Sequence, residues 1–513
     1  MPATTAPPPR ALDRALARLA SVVVLGTIMS ILDTTIVNVA IETLGRDLHA
    51  SLTAIQWVST GYLLALATVI PLTGWSMQRF GARRMWMLSV ILFLLGSALC
   101  GVAWSTGSLI VFRALQGFGG GMIMPIGQAI LAQAAGPQRM GRVMSVIGVP
   151  TLLGPILGPV IGGLIVDNAS WRWIFFVNLP VGAVALALAW RILPAADVRR
   201  ARPPLDWTGL LLLSPGLAAV VYGLSQVGTE GTFGATRVLV PLLAGGVLLA
   251  AFVRHGLGAG GRALVDLGLF RDRALAAASA TTFVFGMALF GAMLILPLYY
   301  QLVRGESALS AGLLLAPQGV GAAMAMPLAG RVTDRIGAGR VVPLGLVAAV
   351  LGSFPYTQLT DATGYVLLAA ALWVRGIGLG MTMMPAMAAA YQTLDRASVP
   401  PATTAINIIQ RVGGSVGTAV LTVVLERRIA AELPGASGGL GALHGGARAA
   451  TPLAHAFGQT FWWALGLTAV AFLPAAFLPR KPPGAAPGAE RAAPPEAEVD
   501  GGLRRARAPA GRA

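Results

Sequence analysis

Apolar residues run along this chain in blocks of about twenty, separated by short polar turns rich in arginine and glycine. About 20 apolar residues in a helix cross the hydrocarbon core of a bilayer. Fourteen blocks reach that length: 19–40, 54–75, 85–104, 108–131, 143–166, 172–193, 207–227, 237–256, 275–301, 309–330, 341–359, 364–390, 402–425 and 457–478. The first is too long for a signal peptide and lacks a small-residue cleavage site, so it is expected to persist as a span. The pattern predicts an all-α membrane protein with 14 transmembrane helices.

Composition agrees. Of 513 residues, 56% are hydrophobic and 11% charged, against about 25% charged in a soluble domain. The net charge of +17 could suggest nucleic acid, but the arginines sit in short clusters between apolar runs, as in membrane-protein loops. No nucleic-acid partner is expected. The one lysine, Lys481, stands outside any Walker A loop, and the one cysteine, Cys100, excludes an intramolecular disulfide. His49, His255, His444 and His455 have no metal-ligand spacing, and no nucleophile–base set is present, so neither a metal nor a catalytic site is expected. Gly413–Gly417 matches G-x-S-x-G, but that motif needs a strand-to-helix elbow, and this copy lies in an apolar helix. Abundant alanine and arginine with almost no lysine point to a GC-rich bacterial genome, and with the apolar blocks the expected location is a bacterial inner membrane.

Loop charge sets the expected orientation. Arg10, Arg14 and Arg18 precede the first span; Arg79, Arg83 and Arg84, then Arg139 and Arg142, then Arg191, Arg199, Arg200 and Arg202, then Arg254, Arg262, Arg271 and Arg273 fill alternate loops. The intervening loops hold few: Arg46, Arg172, Arg237 and Arg304. The positive-inside rule puts both termini in the cytoplasm. One loop dissents, 426–456, with Arg427, Arg428 and Arg448. The Pro-, Ala- and charge-rich tail reads as disordered.

Two turns repeat. GWSMQRFGARRM from Gly74 and GRVTDRIGAGRV from Gly330 each follow a span and share G-x-x-x-[QD]-R-x-G. Placing the second copy after the second helix of a unit makes spans 1–6 and 9–14 related bundles, with spans 7 and 8 an inserted hairpin. Two related bundles with a site between them is the architecture of alternating-access transporters. The expected organisation is a cytoplasmic segment 1–18, an N-terminal six-helix bundle 19–193, a linker and hairpin 194–256, a loop and C-terminal six-helix bundle 257–480, and a tail 481–513.

At these residues the chain resembles the major facilitator superfamily, specifically its fourteen-span drug:proton antiporters. LDTTIVNVA (32–40) is similar to the first-helix motif, the Gly74 turn to motif A, RALQGFGGG (113–121) to motif B, and GVPTLLGPILGPVIGG (148–163) to motif C. WRWIFFVNLPVG (171–182) and VDLGLFRDR (265–273) also resemble family stretches. The resemblance covers roughly 15–480. It implies the major facilitator fold and proton-gradient-driven efflux without a cofactor. Motif A gating then falls on Gly74, Gln78, Arg79, Gly81, Arg83, Asp334 and Arg335; motif C on Gly154, Pro155, Gly158, Pro159 and Gly162. Two departures stand out: Gln78 replaces the usual acid, and Ile41-Glu42 replaces Leu-Pro.

Asp33 is the acid to explain. A charge at mid-bilayer costs roughly 2.5–3.5 kcal/mol on insertion scales and marks a functional site. Asp33 lies roughly 10 Å from the outer end of span 1, and Arg113 roughly 8 Å into span 4, from the helical rise. They are candidates for proton coupling, with a static ion pair the rival. Thr34 and Asn38 either line the same cavity or satisfy backbone groups. Gln116, Arg375, Asn407, Gln410 and Arg411 are cavity or substrate-path candidates. Asn407, Gln410 and Arg411 share a helix face and could instead seal the two halves together. Gly154, Gly158 and Gly162 form a smooth face expected to meet the opposite half. Gln56, Trp57, Tyr299, Tyr300 and Gln301 are expected in the interfacial belt. The expected partners are a small-molecule substrate, protons and the lipid bilayer; the sequence leaves the oligomeric state open, a monomer being compatible. A dedicated metabolite exporter or importer, and a non-transporting sensor or scaffold, are the alternatives.

Overall fold

The computed structural model describes residues 14–194, 203–260, 263–433 and 450–480. Arg10, Arg199, Arg200, Arg202, Arg262, His444, Arg448, Lys481 and the tail 481–513 lie outside the described residues. Among the described residues there are helices and no strands. The principal helices are α1 Arg14–Val39, α2 Leu52–Val69 with its continuation Leu72–Phe80, α3 Ala82–Gly101, α4 Thr106–Ala135, α5 Met140–Asn168, α6 Asn178–Ile192, α7 Trp207–Glu230, α8 Thr236–Ala259, α9 Arg273–Leu302, α10 Ala316–Ile336, α11 Ala338–Ser353, α12 Tyr365–Tyr391, α13 Val399–Glu432 and α14 Ala450–Val470. Each overlaps one of the fourteen apolar blocks. Twelve spans among the described residues are long and apolar enough to cross a membrane, and α2 with its continuation, bent by 55°, makes a thirteenth. Pro71 sits at that bend, where a missing N–H and a ring clash break the helical ladder.

Helix starts carry the expected chemistry. The Ser51 side chain accepts from the Ala54 amide, and Ser105 and Ser108 cap α4 reciprocally. Asp272 accepts from the Ala274 and Leu275 amides at the head of α9. These caps satisfy N–H groups that a helix leaves unpaired. At the other extreme, α13 runs to Glu432, past the apolar block 402–425. Arg427 and Arg428 therefore stand on its last turns rather than in a loop.

Small residues set the helix spacing, as expected where lipid supplies no hydrophobic drive between helices. Gly96 and Gly119 bring α3 onto α4; Gly352 and Gly378 bring α11 onto α12. The same pairing in both bundles is the repeat made physical. The halves meet where α5 packs on α10 and α12, and where α13 packs on α4 and the α2 continuation. The α7–α8 hairpin joins neither bundle alone: α7 touches both α2 and α13. Asp206 ties the hairpin's ends, accepting from the Gly209 and Leu264 amides while meeting His255 at 2.9 Å.

One expectation changes here. Tyr299 and Tyr300 are fully buried rather than interfacial, because the end of α9 is enclosed and their hydroxyls find Thr360 O and the Tyr356 hydroxyl. Trp57 is 40% exposed and stacks on Tyr222 of the hairpin. The Gly413–Gly417 match lies within α13, where no elbow exists.

A Cβ on Gly417 would collide with the Met287 backbone of α9, whereas one on Gly246 meets nothing within 4 Å. Gly417→Val is therefore expected to cost about 1–3 kcal/mol through overpacking, and Gly246→Val almost nothing. Thermal unfolding in detergent compares the two.

Candidate functional site

Asp33 points inward from α1 and is 0% exposed. Arg113 of α4 donates to its Oδ2 at 2.6 Å. Gln116 lies three residues further along α4, so it shares a face with Arg113; its Nε2 donates to Asp33 Oδ1 at 2.8 Å, and its Oε1 accepts from Arg113 at 2.8 Å. Asn178, at the start of α6, donates to the same Oδ1 at 3.0 Å and to Ser97 of α3 at 3.0 Å. The Arg113 guanidinium lies 4.1 Å from the Tyr62 ring centroid, a cation–π contact. Both carboxylate oxygens accept hydrogen bonds, Oδ2 from Arg113 and Oδ1 from Gln116 and Asn178.

Three helices of one bundle, α1, α4 and α6, thus meet at one carboxylate, and α3 joins through Ser97 and Asn178. Removing one partner of such a buried pair leaves an uncompensated charge, a loss of about 3–5 kcal/mol. Of the predicted candidates, Asp33, Arg113 and Gln116 come together here. Thr34 turns its hydroxyl to the Ser30 and Ile31 carbonyls, and Asn38 is exposed beside Ser59. Asn178, Ser97 and Tyr62 were not singled out from the sequence. Asn178 was legible in principle, as the polar residue within WRWIFFVNLPVG.

The second bundle lacks the acid. Arg375 of α12, buried, donates instead to the amide oxygen of Gln318 of α10. Asn407 of α13 donates to Gln128 of α4 at 2.8 Å, so it bonds across the two halves. Gln410 is buried. Arg411 is half-buried on the same helix.

The repeated turns form two contacts between the halves at one end of the molecule. Gly81 and Gly337 adopt φ of +89° and +84°, a conformation open to glycine. Gly74 approaches Pro401 of α13 so closely that a Cβ would lie 3.1 Å from its Cα, while the Gln78 amide donates to Ala397 O at 3.4 Å. In the second copy a Cβ on Gly330 would lie 2.6 Å from Gly141 O at the head of α5. Asp334 accepts from the Gly141 amide at 2.8 Å and meets Arg142 at 3.3 Å. The acid-bearing copy is the more strongly bonded. Arg83 donates to Trp190 O within its own bundle; Arg79 is half-buried and Arg335 exposed.

Motif C requires a correction. Gly154, Gly158 and Gly162 lie against Ile31, Thr35 and Ile36 of α1, in the same bundle rather than the opposite one. Their absent side chains let α5 close on the helix that carries Asp33. Across the halves, Pro159 comes within 3.9 Å of where a Gly312 Cβ would stand. The Pro155 side chain lies outside those described.

Residues 23–418 match the Major Facilitator Superfamily. A multidrug resistance protein B homolog of Mycobacterium tuberculosis is 42% identical, over 92% of each chain. The multidrug export protein EmrB of Haemophilus influenzae is 31% identical, over 79% of each. Among solved structures, the human organic anion transporter MFSD10 aligns with a TM-score of 0.59 at 16% identity, covering 90% of this chain and 99% of that one. The proton:xylose symporter XylE gives 0.59 at 15%, covering 90% and 95%; at these identities the likeness is one of fold. Paired bundles, glycine-bearing contacts between them and a match over most of the length agree: the chain is a multi-pass membrane protein that belongs to the Major Facilitator Superfamily of transporters.

Proposed function

We propose that this chain is a proton-coupled exporter of drugs, antibiotics or similar amphipathic small molecules, working by alternating access in a bacterial inner membrane. The observation that carries the reading is the Asp33 carboxylate, wholly buried within α1 and paired with Arg113 at 2.6 Å. A proton arriving at Asp33 removes the charge that holds Arg113, and Gln116 and Asn178 must then redistribute their hydrogen bonds. Loss of the proton restores the pair. Because the cluster joins α1, α3, α4 and α6, its state bears on how one bundle packs as it moves against the other. Similarity to the multidrug proteins supports the substrate class. The arginine-rich loops support cytoplasmic termini, which places the Gly74 and Gly330 contacts at the cytoplasmic end. In this structure both contacts are made.

The rival is a static pair that only holds the bundle together. In inverted vesicles with an imposed pH gradient, Asp33→Asn is expected to abolish ΔpH-driven uptake of a fluorescent cationic dye while leaving dye binding measurable. A static pair predicts the reverse for Asp33→Leu with Arg113→Met: a paired apolar replacement that keeps stability would also keep gradient-driven uptake. Full uptake by the double variant sinks the proton-coupling role.

The two inter-half contacts should not be equivalent. Asp334→Asn removes a charge-assisted bond and an ion pair, whereas Gln78→Ala removes one long hydrogen bond of 3.4 Å. With a charged group worth about 1.5–3 kcal/mol and a neutral bond about 0.5–1.5, initial dye-transport rates should fall further in Asp334→Asn than in Gln78→Ala.

A further inference from the structure

A groove of about 780 Å³ lies between α1, α5 and α10, apart from the Asp33 cluster. Its walls are apolar: Ile28 of α1, Val149, Leu153 and Leu157 of α5, and Pro327 of α10. One end is cationic, formed by Arg142, Arg331 and Arg335. Along α5 the apolar wall from Val146 to Leu157 is about 16 Å long by the helical rise. That is about one leaflet of a hydrocarbon core roughly 30 Å thick. The arginines stand at the end where the Gly330 turn lies, which the positive-inside rule assigns to the cytoplasmic headgroups.

The charge at this mouth is not internally balanced. Asp334 is engaged by Arg142 and the Gly141 amide. Arg331 and Arg335 are exposed and make no ion pair or hydrogen bond to any described residue. An apolar trough one leaflet deep, with two uncommitted guanidinium groups at its rim, is complementary to one occupant: a phospholipid with an anionic headgroup, its acyl chain in the trough. A zwitterionic lipid would fit the trough but bring its own cation to the rim. We propose that this groove binds an anionic phospholipid of the cytoplasmic leaflet. Because α1 and α5 belong to one bundle and α10 to the other, the lipid bridges the halves directly beside the Asp334–Arg142 contact and favours the conformation in which that contact is made. The site requires only that the chain spans a bilayer, so its test is independent of whether the chain transports.

The full chain is reconstituted in nanodiscs of equal phosphatidylglycerol and phosphatidylcholine with identical acyl chains, released into detergent, and read by native mass spectrometry. The parent is expected to retain phosphatidylglycerol in preference to phosphatidylcholine. At about 1 kcal/mol per basic residue near the surface, R331Q/R335Q should bind phosphatidylglycerol about thirtyfold more weakly. R331K/R335K should keep the preference, which separates charge from fold; if the double variant does not fold, R331Q alone should lose about fivefold on the same basis. Saturating oleate should leave the retained phosphatidylglycerol in place. Equal retention of both lipids by the parent, an unchanged preference in the glutamine variants, or displacement by oleate, which would make the occupant a free amphipathic acid, each overturns the proposal.

Discussion

The Asp33–Arg113 pair constrains much of the first bundle. An ion in hydrocarbon must have a partner and a full set of hydrogen bonds, and one carboxylate here draws donors from α4 and α6. Those donors are fixed in turn: Asn178 by Ser97, whose hydroxyl reaches Phe175 O at 2.8 Å, and Arg113 by the Tyr62 face. The glycine face of α5 closes on α1. Packing and electrostatics therefore act on the same helix, and a change in the charge of Asp33 alters the hydrogen bonding at the junction of four helices.

The two bundles share a scaffold and divide the chemistry. Glycine pads pair α3 with α4 and α11 with α12 in the same manner. Yet the buried arginine of the first bundle meets a carboxylate, while that of the second meets the amide of Gln318. At the inter-half contacts the assignment reverses, Gln78 in the first copy and Asp334 in the second. Asp33 pairs with Arg113 inside its own bundle, whereas Asp334 pairs with Arg142 across the halves. The hairpin adds a third body: α7 lies against both α2 and α13, where it covers one seam between the halves, while the groove beside α5 leaves the other open to lipid.

Much of the architecture was legible in the sequence because a bilayer is a severe solvent. Every backbone polar group must be satisfied within its own segment, so each span announces itself as an apolar run, and the fourteen runs fall on the principal helices. Arginine at Asp33's depth was readable from helical rise, and the glycine turn from its repeated pattern. Side chains that complete a site from elsewhere were not. Gln128 and Gln318 carry no local signature, since a buried amide in an apolar helix looks the same whether it bonds its own backbone or a residue far along the chain.

Tyr299 and Tyr300 looked interfacial because sequence shows distance along an axis and not what lies beside it; the enclosed end of α9 buried them. The smooth face of α5 was evident from spacing, but only the folded chain chose α1 over the other bundle as its partner. What the chain alone determined is its membrane class, the order of its helices, its repeat and its buried acid, because these follow from local hydropathy and helical geometry. What tertiary structure decided is which face meets which, and so which polar groups share a charge, because those choices depend on contacts between segments that no local pattern encodes.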